Sequence, residues 1–180
     1  MKLEMFIKMV LSTAEIETED LTAQEIQRLN EKIVLYANAG MDAIVRETYP
    51  LKKSVLVQGP ADFEPPAEWI KLVRYRGGKA EQYVDEDGKE HLLLKEDKEY
   101  RITYTALPTF IESPEEEYTF AFPLQVITAL IYYCAYHILA VANDKREYSY
   151  LLTLYNQQCV NIAENLPKRL HIEGGGGCGI

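Results

Sequence analysis

The sequence predicts an α+β fold: a helical bundle, made of a long N-terminal helix and a C-terminal helix hairpin, with an inserted small antiparallel β-sheet or sandwich and an extended C-terminal tail. Apolar residues recur every three or four positions over residues 21–47, 123–143 and 145–166, as on one face of a helix. Apolar and polar residues alternate over residues 51–110, as in half-buried strands. Four consecutive glycines lie near the C-terminus.

The first long helix is predicted over residues 21–47, where the apolar positions form one stripe. Thr22, followed three residues later by Glu25, resembles a capping box, which satisfies free backbone N–H groups at a helix start. Pro50 ends the element, because the residue before a proline is disfavoured in the helical region. A shorter helix is expected over residues 3–11.

The insertion over residues 51–110 is predicted to hold four or five antiparallel strands. Residues 69–75 and 100–106 alternate most clearly, as expected for strands. The dipeptide Asp87-Gly88 is typical of a tight hairpin turn. Together these strands predict a small sandwich or a curled sheet.

The closing hairpin begins at Pro123, a residue that suits the first position of a helix. Its tyrosines cannot all face one core, because they occupy more than one side of the helix. Tyrosine combines apolar area with a polar tip and is enriched at protein interfaces. We therefore predict a subunit interface at Tyr132, Tyr133, Tyr136, Tyr148 and Tyr155; the alternative is a core helix with amphipathic edges.

Residues 1–167 are predicted to form a single domain, and residues 168–180 an extended tail that binds a partner. A run of glycines loses much backbone entropy on ordering, so we expect it to order only against a neighbouring chain, for example by strand addition. The predicted partner-binding residues are Lys168, Arg169, Leu170, His171, Ile172, Gly174, Gly175, Gly176, Gly177 and Ile180.

The sequence predicts no catalytic residues, no cofactor and no metal site. His91, His137 and His171 are widely separated, and no HExxH pattern or glycine-rich phosphate loop is present. The three cysteines form no CxxC pair. Residues 85–88 lack the spacing of a calcium loop and indicate a hairpin tip. Residues 115–117 are interpreted as a solvated acidic loop, which in an assembly could meet a basic partner surface.

The formal net charge of −9 argues against non-specific nucleic-acid binding, although an acidic wall would let DNA slide through a passage. The longest apolar stretch, residues 123–142, contains Gln125 and His137, which predicts a helix buried in protein and no membrane span. Glu4 and Lys8 interrupt the N-terminal apolar stretch, so we expect no signal peptide.

Four segments of the chain resemble the head-to-tail adaptor (connector) proteins of tailed bacteriophages. LTAQEIQRLNEKIVLYANAGMDAIVRETYP resembles the long helix of that family, and VLVQGPADFEPPAEWIKLVRYRGGK resembles its strand, loop and next strand. KEYRITYTALPTFIE resembles a strand that ends in an alanine-x-proline step. FAFPLQVITALIYYCAYHILAVANDKREYSYLLTLYNQQ resembles the closing helix pair. Together they cover most of residues 21–165.

The resemblance implies a structural virion protein rather than an enzyme. It implies a dodecameric ring beneath the portal protein in the virion neck, assembled in the host cytoplasm and joined to tail or nozzle proteins, with DNA passing through the ring. The tail, residues 168–180, would reach the portal. Two alternatives stay open: a monomeric cytoplasmic scaffold or regulatory module that binds through the β insertion, and a small enzyme using Asp62, Glu64 and Glu68 around Trp69.

Overall fold

The structure, a computed structural model, describes residues 1–142 and 148–166. The helices are α1 (Leu3–Thr13), α2 (Ala23–Glu47), α3 (Leu124–Ala142) and α4 (Ser149–Asn165). The strands between α2 and α3 are β1 (Lys52–Gln58), β2 (Ala61–Phe63), β3 (Trp69–Arg76), β4 (Ala80–Val84), β5 (Glu90–Leu94) and β6 (Glu99–Ala106).

The predicted architecture, a bundle of one N-terminal helix and a C-terminal hairpin with one inserted sheet, is wrong. The described residues have a mixed α+β fold with four helices and two small antiparallel sheets; a short helix and a long one precede the sheets, and two follow them. The physical reason lies in α3, which carries no charged residue and packs against α1, α2 and α4. Because α1 takes part in this packing, α2 and the C-terminal pair do not by themselves form the helical layer.

The element boundaries also differ from those predicted. The first long helix starts at Ala23 rather than Leu21, because Thr22 is its N-cap. The predicted capping box is confirmed: the Thr22 hydroxyl accepts from the Glu25 N–H at 3.3 Å, and Glu25 Oε2 accepts from the Thr22 N–H at 2.8 Å. The predicted end at residue 143 and start at residue 145 lie outside the described residues.

The six strands found in the described part of the chain form two three-stranded sheets, in the orders β1-β6-β3 and β2-β5-β4. Four or five strands were expected; β2 spans three residues between Pro60 and Pro65, too few to show an alternating pattern. The inward residues of the two sheets enclose a small core of four buried side chains, Leu92, Leu94, Tyr100 and Ile102. We call the two sheets and this core the β module.

The helical layer has a separate and larger core, to which all four helices contribute. Residues 107–123 connect the β module to α3 and are tied to this layer. The Asn38 side chain donates to the Ile111 carbonyl at 2.8 Å and accepts from the Ile111 N–H at 2.9 Å. Phe120 is buried in the same core, and its N–H donates to the Met1 carbonyl at 2.9 Å.

Candidate interaction surfaces

Of the tyrosines predicted at a subunit interface, Tyr132, Tyr133 and Tyr136 lie on α3, whereas Tyr148 is the N-cap of α4 and Tyr155 lies within α4. They divide between two clusters. Tyr133 and Tyr155 pack against the main helical core, with their ring centroids 5.3 Å apart. Tyr132, Tyr136 and Tyr148 pack against a smaller cluster of Ala14, Ala135, Leu139 and Leu151. All five stay half-buried, so their own chain covers a large part of each ring.

His137 lies among three tyrosine rings on α2 and α3. Its ring stacks on Tyr36 at 5.2 Å and contacts Tyr133 at 4.3 Å and Tyr136 at 5.2 Å, measured between ring centroids. Burial lowers the pKa of the His137 imidazole and raises that of the Tyr133 hydroxyl. Both groups are therefore held in their neutral forms, as in a packed core rather than in an acid–base pair.

The outward side of α4 carries a stripe of polar but almost uncharged residues. These positions follow each other at helical spacing and are all exposed: Tyr150, Thr153, Asn156, Gln157, Val160, Asn161 and Glu164. Glu164 is the one Asp, Glu, Lys or Arg in α3 and α4 taken together, in a chain with 47% hydrophobic and 26% charged residues. We call these seven residues the neutral face.

Sequence reasoning concentrated on the tyrosines and missed the neutral face. The signal was present, because a surface helix normally carries charged residues on the side away from its core. In α4 the buried side is marked by Leu151 and Ile162, and the opposite side carries amides and hydroxyls. A charge count along each predicted helix would have found it.

The three carboxylates of the enzyme alternative have no partner in common. Asp62 accepts a hydrogen bond from the Tyr83 hydroxyl at 2.6 Å, and Glu64 pairs with Lys89 at 3.5 Å. Glu68 accepts from Lys53 at 3.3 Å and from the Tyr104 hydroxyl at 3.1 Å.

These contacts favour a structural role for Glu68. The pKa of its carboxyl is lowered first by its own backbone N–H and then by Lys53 and Tyr104. A lowered pKa keeps the group ionised, whereas a general acid needs a raised one. The Trp69 indole stacks on the Tyr104 ring at 4.9 Å and donates to Glu90 at 3.2 Å.

A carboxylate–histidine cluster on the β module was not anticipated. The His91 ring lies 3.1 Å from Asp85 Oδ2 through Nε2 and 3.5 Å from Asp62 Oδ1 through Nδ1. Asp85 Oδ1 also accepts from the N–H groups of Asp87 and Lys89. This backbone hydrogen bonding lowers the pKa of Asp85, with the Lys89 N–H as the largest cause. The cluster ties the β4–β5 turn to β2; sequence spacing alone could not place Asp62 beside it.

The partner-binding residues proposed between Lys168 and Ile180 lie outside the described residues. In the described ranges, 1–142 and 148–166, no group of three His, Cys, Asp or Glu side chains is placed to hold a metal ion. None of the helices in those ranges is long and apolar enough to cross a bilayer.

Scans with protein-family models and a search of curated proteins return no match to this chain.

Proposed function

We propose that the chain is a structural subunit that acts by packing against copies of itself, as a head-to-tail adaptor in a virion. The observation that carries the proposal is the neutral face on α4. The face is exposed, it presents one charge in seven positions, and two of its members, Tyr150 and Val160, are large apolar side chains about half exposed to solvent.

Charge explains why such a face suits self-association. A chain of net charge −9 repels its own copies at close range, and each buried charge must lose its water of hydration. The cores of protein interfaces are accordingly depleted of charged residues. Two copies that meet at the neutral face bury tyrosine, valine and amide groups and desolvate at most Glu164 of each.

The resemblance to bacteriophage adaptors supports the form of the assembly. On that reading the copies form a dodecameric ring beneath the portal protein, joined to tail or nozzle proteins, and DNA passes through the ring. The tail, residues 168–180, reaches the portal. These details belong to the proposal and rest on the four similar segments within residues 21–165.

The test is the oligomeric state of the full chain, measured by sedimentation velocity and negative-stain electron microscopy over a wide range of concentration. The double substitution Gln157→Glu and Val160→Glu places two charges in the neutral face and should weaken association about tenfold or more. The control is Gln82→Glu with Val84→Glu, the same changes at two exposed positions of β4, which should leave association unchanged. A chain that stays monomeric throughout would contradict the proposal.

A further inference from the structure

A second surface lies on the β module. Unlike the neutral face, it carries several positively charged side chains that have no ion-pair partner among the described residues. On β6, Arg101, Thr103 and Thr105 alternate onto one side of the β1-β6-β3 sheet. Their direct partners on β1 are Leu56, Ser54 and Lys52, and on β3 they are Arg76, Arg74 and Lys71. Residues directly opposite in a sheet share a face.

The register of β3 places its three cations on the same side of the sheet. Strict alternation would place Lys71 and Arg74 on opposite faces, because they are three residues apart. A register shift between Leu72 and Arg74 brings Arg74 opposite Thr103. Arg74 therefore joins Lys71 and Arg76 on one side. We call the five cations of this side, all exposed, the cationic sheet face: Lys52, Lys71, Arg74, Arg76 and Arg101.

None of these five cations forms an ion pair or a side-chain hydrogen bond within the described part of the chain. Four other lysines of the β module have partners: Lys53 pairs with Glu68, Lys89 with Glu64, Lys95 with Glu81 and Lys98 with Glu96. On β6, the carboxylate that points to the same side of the sheet as Arg101 is that of Glu99, at the start of the strand. In a protein of net charge −9, an unpaired group of this size points to an acidic partner outside the chain.

The chain itself carries a matching acidic segment, residues 112–117, with the sequence ESPEEE. Its four glutamates, Glu112, Glu115, Glu116 and Glu117, take part in none of the ion pairs found among the described residues. The segment has a defined shape. The Glu112 N–H donates to Glu116 Oε2 at 2.8 Å, and the buried residues Ile111 and Phe120 anchor its two ends.

We propose that the cationic sheet face of one copy receives the acidic segment, residues 112–117, of a neighbouring copy. A contact between two different patches repeats in one direction and closes into a ring when the rotation allows it. The inference rests on the proposed function, since it requires that copies associate, and it names a pair of surfaces that the neutral face does not include. A preformed acidic segment lowers the entropy cost of binding.

Two other occupants are less favoured. Residues 15–20 hold as many carboxylates, but they precede the N-terminus of α2, the end of a helix at which negative charge is favourable. Nucleic acid has the phosphates that arginine prefers, but the net charge of the chain opposes its approach. Both are therefore outcomes of the test rather than the proposal.

The test uses two charge-reversed forms of the full chain. The face variant carries Arg74→Glu and Arg76→Glu, and the segment variant carries Glu115→Lys and Glu117→Lys; all four positions are exposed. Each variant alone should associate about tenfold or more weakly than wild type. Mixing the two should restore association, because each reversed surface then meets its complement. The matched control for the face variant is Arg28→Glu with Lys32→Glu on α2, which lowers the net charge by the same amount and should associate as wild type does.

The outcomes separate this inference from the proposed function. Wild type that never associates overturns both. Wild type and variants that associate equally overturn the inference and leave the proposed function standing. Rescue of the face variant by a chain carrying Glu17→Lys and Glu19→Lys, and not by the segment variant, assigns the contact to residues 15–20 and overturns the inference. If the face variant associates normally but loses binding to a fluorescent DNA duplex that wild type binds, the face serves nucleic acid and the inference is wrong. Circular dichroism must show both variants folded.

Discussion

The helical layer and the β module of this chain reach stability by different means. The main core of the helical layer contains 21 buried residues drawn from all four helices and the segment before α3. The core of the β module contains four. A large core tolerates the loss of one side chain better than a small one, because each residue supplies a smaller share of the buried area. The β module must therefore depend more heavily on individual contacts.

Tyr100 shows this dependence. It is fully buried, and its hydroxyl donates to the Lys79 carbonyl at 2.8 Å and accepts from the Glu96 N–H at 3.1 Å. The chain makes room for the ring with glycine: a Cβ at Gly78 would lie 2.6 Å from the Tyr100 oxygen. The Tyr100 side chain thus packs in the small core and hydrogen-bonds to two turns, the one between β3 and β4 and the one between β5 and β6.

The largest expected effect is that of Tyr100→Ala, which removes the ring and leaves two backbone groups unpaired. We expect a loss of about 3–5 kcal/mol in the free energy of unfolding of the β module. Trp69 is the single tryptophan and contacts this core, so its fluorescence reports the β module, while circular dichroism at 222 nm reports the helices. Leu56→Ala, at a position of the same sheet that is 53% exposed, should cost about 0.5 kcal/mol or less.

The comparison breaks if Tyr100→Ala lowers the helical transition as much as the fluorescence transition. The two cores would then unfold as one cooperative unit, and contacts with the large core would stabilise the small one. A fluorescence midpoint that moves alone sharpens the comparison, because it shows that the β module opens while the helices stay folded.

The next largest effect is expected from Leu130→Ala in the helical layer. Leu130 is fully buried on α3 and lies close to Gly40 of α2. A leucine-to-alanine change in a packed core costs about 2–5 kcal/mol, including the cavity that it leaves. The loss should appear in the circular dichroism transition. Leu124→Ala, at a position on the same helix that is 66% exposed, is the control and should have little effect. Equal shifts for the two variants would contradict the assignment of the core.

The sequence predicts the helical layer and the β module to different extents. The helix over residues 23–47 and its capping box follow from local signals, the spacing of apolar residues and the pair Thr22 and Glu25. The bundle failed because α3 has no charged side to show where it faces solvent. Its periodicity could not reveal that α1 packs against it.

The β module exposes a second limit. Alternation along β6 predicted a strand but not which strands flank it, since pairing is long-range. The register shift in β3 that collects the cationic sheet face leaves no mark in the sequence of that strand alone. The cluster of His91, Asp85 and Asp62 depends on three strands meeting, so the sequence presented its members as unrelated.

A smaller effect is expected at the connection between the two regions. Asn38→Ala removes both hydrogen bonds that hold Ile111 to α2. Leaving the Ile111 N–H and carbonyl without partners should cost about 1–3 kcal/mol. If the connection couples the two cores, the variant should separate the fluorescence and circular dichroism transitions further than in wild type. Transitions that fall together by the same amount would show that coupling runs through other contacts. Gln27→Ala, on an exposed turn of α2, is a suitable control.

The smallest effect concerns pH and the helical layer. Burial lowers the pKa of His137 below its ordinary value of 6.5, so the unfolded chain binds a proton more readily than the folded one. Stability from this group is therefore present above pH 6.5 and is lost as the pH falls below it.

The free energy of unfolding, followed at 222 nm between neutral pH and about pH 5, should decline in wild type. The decline should be shallower in His137→Gln, which keeps a polar group among the rings of Tyr36, Tyr133 and Tyr136 but does not titrate. If the free energy of unfolding falls equally with pH in the two proteins, the His137 ring is protonated as easily in the folded state as in the unfolded one. The helical layer would then be packed less tightly around this ring than the stacking distances indicate.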